Sequence, residues 1–236
     1  MRKDYHRGEF KRLVILGEST VEGGGWLQSK EQRFADVVAR LIDTCQKTPV
    51  EYFNEGVGAS VISPRSTGYD DSRKPSALER YREKVIERNP DLFVLCYGLN
   101  DMRCGTPLGI FVEDMETIIA DVKAACDPVT VLTTVYHMTG FDRYPPFNVG
   151  SIEATRQYNA AIAELAQRHD CILADVWAAE GLADHVIHQD GVHANAVGNL
   201  LIAHKVFEAI AVNCSGIAEH TQRLDSDTQW TRNTSG

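Results

Sequence analysis

Short apolar runs alternate with longer amphipathic stretches along most of the chain. The runs are Leu13–Leu16, Val50–Phe53, Leu92–Tyr97, Val129–Val135 and Cys171–Val176. They are rich in Val, Ile, Leu, Phe and Tyr and largely lack polar alternation, the pattern of parallel strands covered on both faces. Between them Phe34, Val37, Val38, Leu41, Ile42 and Cys45 recur with helical spacing, as do Phe111, Met115, Ile118, Ile119 and Val122, then Tyr158, Ile162, Leu165 and Ala166. Ser76-Ala77-Leu78-Glu79 has the form of a capping box, so a helix starts there and stops before Pro90. A last helix is predicted from about Asn195 to about Val212.

Strands alternating with helices predict an α/β fold: a three-layer α/β/α sandwich, flavodoxin-like, with a five-stranded, mostly parallel sheet. No composition shift or internal repeat divides the chain, so residues 1–215 are read as one domain and 216–236 as a polar, mobile C-terminal tail. Length and composition agree: 236 residues, 43% apolar, mean hydropathy −0.25. A formal charge of −9 and the lack of any long basic run argue against nucleic acid or a membrane surface as partner. No stretch has transmembrane length and the N-terminus has no signal-like apolar core. The six cysteines are scattered, without a C-x-x-C pair, and read as reduced thiols of a cytoplasmic protein.

Ligands of open α/β sheets bind beyond the carboxyl ends of the strands. Ser19, Gly56 to Ala59 and Gly98 to Asp101 follow the first three runs, and Asp190 and His193 lie between the fifth run and the last helix. His193 suits a base, since imidazole titrates near neutrality, and Asp190 three residues earlier can hold its Nδ1. Asn100 carries an amide able to face a developing oxyanion, or it merely ends a strand with an Asx turn; Asp101 reads as a turn or capping group. Two other readings stay open here. Ser19-Thr20-Val21-Glu22 is itself a capping box, so Ser19 can be a helix cap. His185, His188, Asp190 and His193 can be metal ligands, although they lack the spacing of a helical His pair. The Gly23-Gly24-Gly25 run matches no phosphate-binding motif.

Gly17-Glu18-Ser19, Asn54-Glu55-Gly56-Val57-Gly58-Ala59, Gly98-Leu99-Asn100-Asp101 and Asp190-Gly191-Val192-His193 together resemble the blocks of the SGNH hydrolases, the GDSL esterase/lipase family, from about Leu13 to the last helix. The resemblance implies Ser19 as nucleophile, Asp190 and His193 as acid and base, and an oxyanion hole from Ser19, Asn100 and a backbone N–H of the second block. That block ends in Ala59 where the family has glycine, which leaves Gly58 or Ala59 as the donor. Glu18 replaces the usual aspartate.

The implied activity is hydrolysis of a small-molecule ester through an acyl-enzyme, without metal or other cofactor. Acyl transfer on the same site, a metal-dependent phosphoesterase and a non-catalytic binding protein are the alternatives. The long 56–75 connection and the aromatic stretch 136–150 are the expected specificity loops, with Arg65, Tyr69, His137, Phe141 and Tyr144 as substrate contacts. Their mixed character suits a short acyl group, acetyl above all, on a polar alcohol such as a carbohydrate. The aromatic stretch equally suits a contact between copies in a homo-oligomer.

Overall fold

A computed structural model describes residues 3–227. The apolar runs become β1 (Arg12–Gly17), β2 (Glu51–Gly56), β3 (Leu92–Cys96), β4 (Val129–Thr133) and β5 (Ile172–Ala174). They form one sheet in the order β2-β1-β3-β4-β5 with every pair parallel. The helices are α1 (Ser19–Glu22), α2 (Phe34–Cys45), α3 (Tyr69–Ser72), α4 (Ala77–Tyr81), α5 (Leu99–Arg103), α6 (Leu108–Cys126), α7 (Ile152–Arg168), α8 (Val176–Glu180), α9 (Ala196–Ala211) and α10 (Glu219–Asp227). α2 and α9 pack together on one face of the sheet, and α4, α6 and α7 on the other. This is the expected three-layer α/β/α sandwich. No single helix among the described residues is long and apolar enough to cross a membrane.

Central β3 and β4 are buried along their whole length, as uninterrupted apolar runs require. β2 departs from that pattern: it is an edge strand, only half-buried, and extends past Phe53 into the polar Asn54-Glu55. The capping box at Ser76 forms, with Glu79 accepting from the Ser76 N–H at 2.8 Å. The last long helix also starts where its cap predicts, Asn195 accepting from the N–H groups of Val197 and Gly198.

The polar tail begins later than expected. Gly216 and Ile217 are buried, the Gly216 N–H donates to the His6 carbonyl at 3.1 Å, and Ser215 is held by Asp4. A methyl group on Gly216 would fall 2.1 Å from the Gly8 carbonyl oxygen, so the chain ends cross at backbone distance. α10 then carries the chain to Asp227; the rest of the predicted tail lies outside the described residues.

The strand order reverses at β1, which lies between β2 and β3, so the loops leaving these three strands diverge from one point. Parallel register sets Gly17 beside Gly56 and Cys96. Buried Arg80, from α4, fastens these ends: its guanidinium donates to the Glu55 carbonyl at 3.1 Å, the Gly17 carbonyl at 3.3 Å and the Tyr97 hydroxyl at 2.5 Å. Leaving buried acceptors without donors is costly. Arg80→Met should therefore lower stability by on the order of 3 kcal/mol, seen as a melting temperature about 5–10 °C lower by circular dichroism.

Candidate active site

β1 stops at Gly17, and the next residue decides what Ser19 can do. The Glu18 side chain, not that of Ser19, caps α1, accepting from the Thr20 N–H at 3.3 Å and the Thr20 hydroxyl at 3.1 Å. The alternative reading of Ser19 as a helix cap does not hold, and the Ser19 hydroxyl is left to other partners. Its oxygen lies 2.9 Å from His193 Nε2 and 3.1 Å from Glu18 Oε2. Glu18 is fully enclosed, and burial pushes its carboxyl up to about 7 despite the hydrogen bonds from Thr20 and Ser19.

Asp190 and His193 belong to a turn closed by two hydrogen bonds, His188 N–H to the His193 carbonyl at 2.7 Å and Gly191 N–H to the His188 carbonyl at 2.9 Å. Gly191 has φ +75° and sits against Gly140, a place for glycine on both counts. Asp190 Oδ1 accepts the N–H groups of Val192 and His193 at 2.8 and 2.9 Å, while Oδ2 holds His193 Nδ1 at 2.8 Å. A carboxylate at Nδ1 places the proton there and leaves Nε2 an acceptor facing Ser19. Burial would raise the Asp190 pKa, but the hydrogen bonds from His193 and Val192 outweigh it and bring it down to about 2. Burial also lowers the His193 pKa below its ordinary 6.5, more than Asp190 raises it. The result is a neutral imidazole between a hydroxyl and a fixed carboxylate.

Ser19, Asn100, Asp190 and His193 all border one cavity of about 530 Å³, together with Gly58 and Ala59. The second block resolves into two roles. The Gly58 N–H is taken by the Glu22 carboxylate at 2.7 Å. The N–H groups of Ala59 and Ser19 meet no acceptor among the described residues. Ala59 adopts φ +59°, a left-handed conformation that costs an alanine about 1 kcal/mol or more and that glycine would take freely. Asn100 Nδ2 donates to the Ser60 carbonyl at 2.9 Å, which orients the amide. Asp101 is not a cap: it is fully buried and holds the 60–66 loop through the Ser66 hydroxyl at 2.6 Å and the Ile62 N–H at 3.0 Å, with burial raising its pKa to about 7.

The loop contacts divide. Tyr144 borders the cavity, and so does its neighbour Phe147. Phe141 instead packs on the hydrophobic core. Arg65 turns away to Asp114 and Glu113 on α6, as a guanidinium with two carboxylates in reach will. Tyr69 donates to Glu79 at 2.8 Å outside the cavity. Buried His137 bonds Asp184 through Nε2 at 2.7 Å and meets the Trp177 ring edge-on. His188 Nδ1 accepts the Asp190 N–H at 3.3 Å and stands 3.2 Å from Asp190 Oδ2. Among the described residues no three His, Cys, Asp or Glu side chains converge as metal donors do.

Two cavity residues escape the motifs. Trp26 lies flat on the His193 ring, centroids 3.6 Å apart and planes 6° from parallel. Its indole occupies the space a side chain at Gly24 would need, which gives that glycine a packing reason. Arg103 follows Asn100 by one helical turn and faces the same cavity. An aromatic after a glycine run and an arginine after G-x-N-D are visible in sequence, but nothing local says what they face. By covering the ring, Trp26 contributes to the burial that disfavours the imidazolium. Trp26→Ala should raise the His193 pKa toward 6.5, as followed by NMR titration of the imidazole.

Comparisons with known proteins bear on the fold and the family. A lipase/acylhydrolase from Enterococcus faecalis superposes with TM-score 0.68 at 21% identity, covering 85% of this chain and 95% of its own. Axe2, an acetylxylan esterase from Geobacillus stearothermophilus, superposes with TM-score 0.65 at 16% identity, covering 86% and 95%. At such identities these neighbours share the fold. No curated protein matches the chain. The model of the GDSL-like lipase/acylhydrolase family matches residues 15–201, which include all four blocks, and the chain belongs to that family of hydrolases.

Proposed function

We propose that this hydrolase is a serine esterase that cleaves short-chain acyl esters, acetyl esters of a polar alcohol such as a carbohydrate, through an acyl-enzyme. The observation that carries the reading is the line of hydrogen bonds from Ser19 through His193 to Asp190, at 2.9 and 2.8 Å, beside unengaged N–H donors. In the first step Ser19 Oγ attacks the ester carbonyl carbon while His193 Nε2 takes its proton. The carbonyl oxygen becomes an oxyanion, received by the Ser19 N–H, the Ala59 N–H and the Asn100 amide. Gly58 supports the loop instead, its N–H being held by Glu22. The imidazolium, paired with Asp190, then gives its proton to the alcohol oxygen as that C–O bond breaks. Water then attacks the acyl carbon while His193 takes its proton, and His193 returns that proton to Ser19 Oγ as the acyl C–O bond breaks and the carboxylic acid leaves.

The short acyl group and polar alcohol are supported by the walls of the cavity, where the Trp26, Tyr144 and Phe147 rings stand among the charged Glu22 and Arg103. The acetylxylan esterase among the structural neighbours points the same way.

Fluorophosphonate should label the wild type covalently, and Ser19→Ala should abolish labelling and reduce ester turnover by about 10³-fold or more. Because His193 must be neutral to accept the proton, kcat/KM should rise with pH through a midpoint below 6.5, with Asp190 ionised throughout. In a series of para-nitrophenyl esters, acetate should exceed octanoate in kcat/KM; a preference for octanoate would refute the short-chain assignment.

A further inference from the structure

Arg103 brings to the cavity a guanidinium that no carboxylate meets directly. The residue is 4% exposed, and no carboxylate among the described residues lies within 4.0 Å of its guanidinium. One of its nitrogens donates to the Arg143 carbonyl at 2.9 Å, Nε has no acceptor, and the group stands 6.0 Å from the Phe147 ring centroid. Buried Arg80 also lacks a carboxylate and an acceptor at Nε, but three oxygens receive its terminal donors. Arg103 has one. The two carboxylates bordering the same cavity are already committed, Glu22 to the Gly58 N–H and Asp190 to His193. A buried guanidinium with donors left unfilled is expensive, and here the open side from which an acceptor can arrive is the substrate cavity.

Asn100 and Arg103 project from the same side of α5 one turn apart. An ester whose carbonyl oxygen meets Asn100 therefore brings its remaining groups within the neighbourhood of the guanidinium. The planar fork of an arginine matches a carboxylate in two-point contact. We propose that Arg103 is a specificity-determining residue that receives an anionic group, so that the favoured substrate is an ester bearing a carboxylate on its acyl or its alcohol part. This rests on the esterase reading of Ser19.

The test compares kcat/KM for two charged esters with their neutral methylated counterparts. Para-nitrophenyl hydrogen glutarate carries the carboxylate on the acyl side, and para-acetoxybenzoate carries it on the alcohol side. The wild type should prefer the charged member of at least one pair, and the pair affected identifies the side that Arg103 reads. In Arg103→Met that preference should fall about 10- to 100-fold, the scale of a charge-assisted contact, with Arg103→Lys in between. A charged-to-neutral ratio that is the same in wild type and Arg103→Met, in both pairs, overturns the proposal; a purely structural arginine would give that result.

If Arg103→Met does not fold by circular dichroism, inhibition of the wild type decides. Glutarate or benzoate should inhibit at least about tenfold better than the corresponding amide, and equal inhibition overturns the assignment. If no ester is turned over and fluorophosphonate does not label Ser19, the esterase reading fails. Calorimetry with glutarate and benzoate still reports on Arg103 in that case. Binding by the wild type that Arg103→Met loses upholds the anion site, and the absence of wild-type binding removes it.

Discussion

The site depends on Arg80 holding three strand ends at one place. Its guanidinium spans from the last carbonyl of β1 to the Glu55 carbonyl of β2 and the Tyr97 hydroxyl just past β3. Those ends carry Ser19, Ala59 and Asn100. Parallel register brings the backbones level, but level strands do not by themselves aim the loops that leave them. The network continues from Tyr97 to the Ser60 hydroxyl at 3.0 Å, and the Ser60 carbonyl orients the Asn100 amide. A cation with three oxygen partners thus connects the sheet to an amide that faces the cavity.

A second division of labour frees the reacting groups. Glu18 caps α1, so the hydroxyl of Ser19 is not consumed as a cap. Glu22 takes the Gly58 N–H, so the loop is secured without using the N–H of Ala59. Asp190 spends one oxygen on backbone N–H groups of its own turn and the other on the imidazole. Each donor or acceptor the chemistry needs is left available because a neighbour satisfies the local backbone. The left-handed Ala59 carries a conformational cost in the same place, as strained residues of functional sites often do.

Ser19, Asn100, Asp190 and His193 were legible as a candidate site because the roles proposed for them, nucleophile, amide donor, acid and base, require particular residue types, placed at strand ends or at short spacing. The strands and long helices were legible from apolar period, apart from the ends of β2 and β5 and the chain terminus. There the sheet edge and the crossing of Gly216 over Gly8 override local polarity. Arg65, Tyr69 and His137 were drawn to the site by the long loops that carry them and by side-chain type. Each found a carboxylate elsewhere, on Asp114, Glu79 and Asp184. A polar side chain in a long loop goes to the partner that folding brings near, and sequence separation does not reveal which that is.

The sequence by itself determined the fold class, the order of the blocks and the four residues proposed to carry the chemistry. Tertiary structure alone decided which oxygen of Glu18 competes for Ser19, that Ala59 rather than Gly58 keeps its N–H unengaged, and that Trp26 and Arg103 complete the cavity. The reason is one of range. Periodicity and motif spacing record what neighbours along the chain must do, whereas burial, stacking and the pairing of charges depend on groups that meet only when the sheet is assembled.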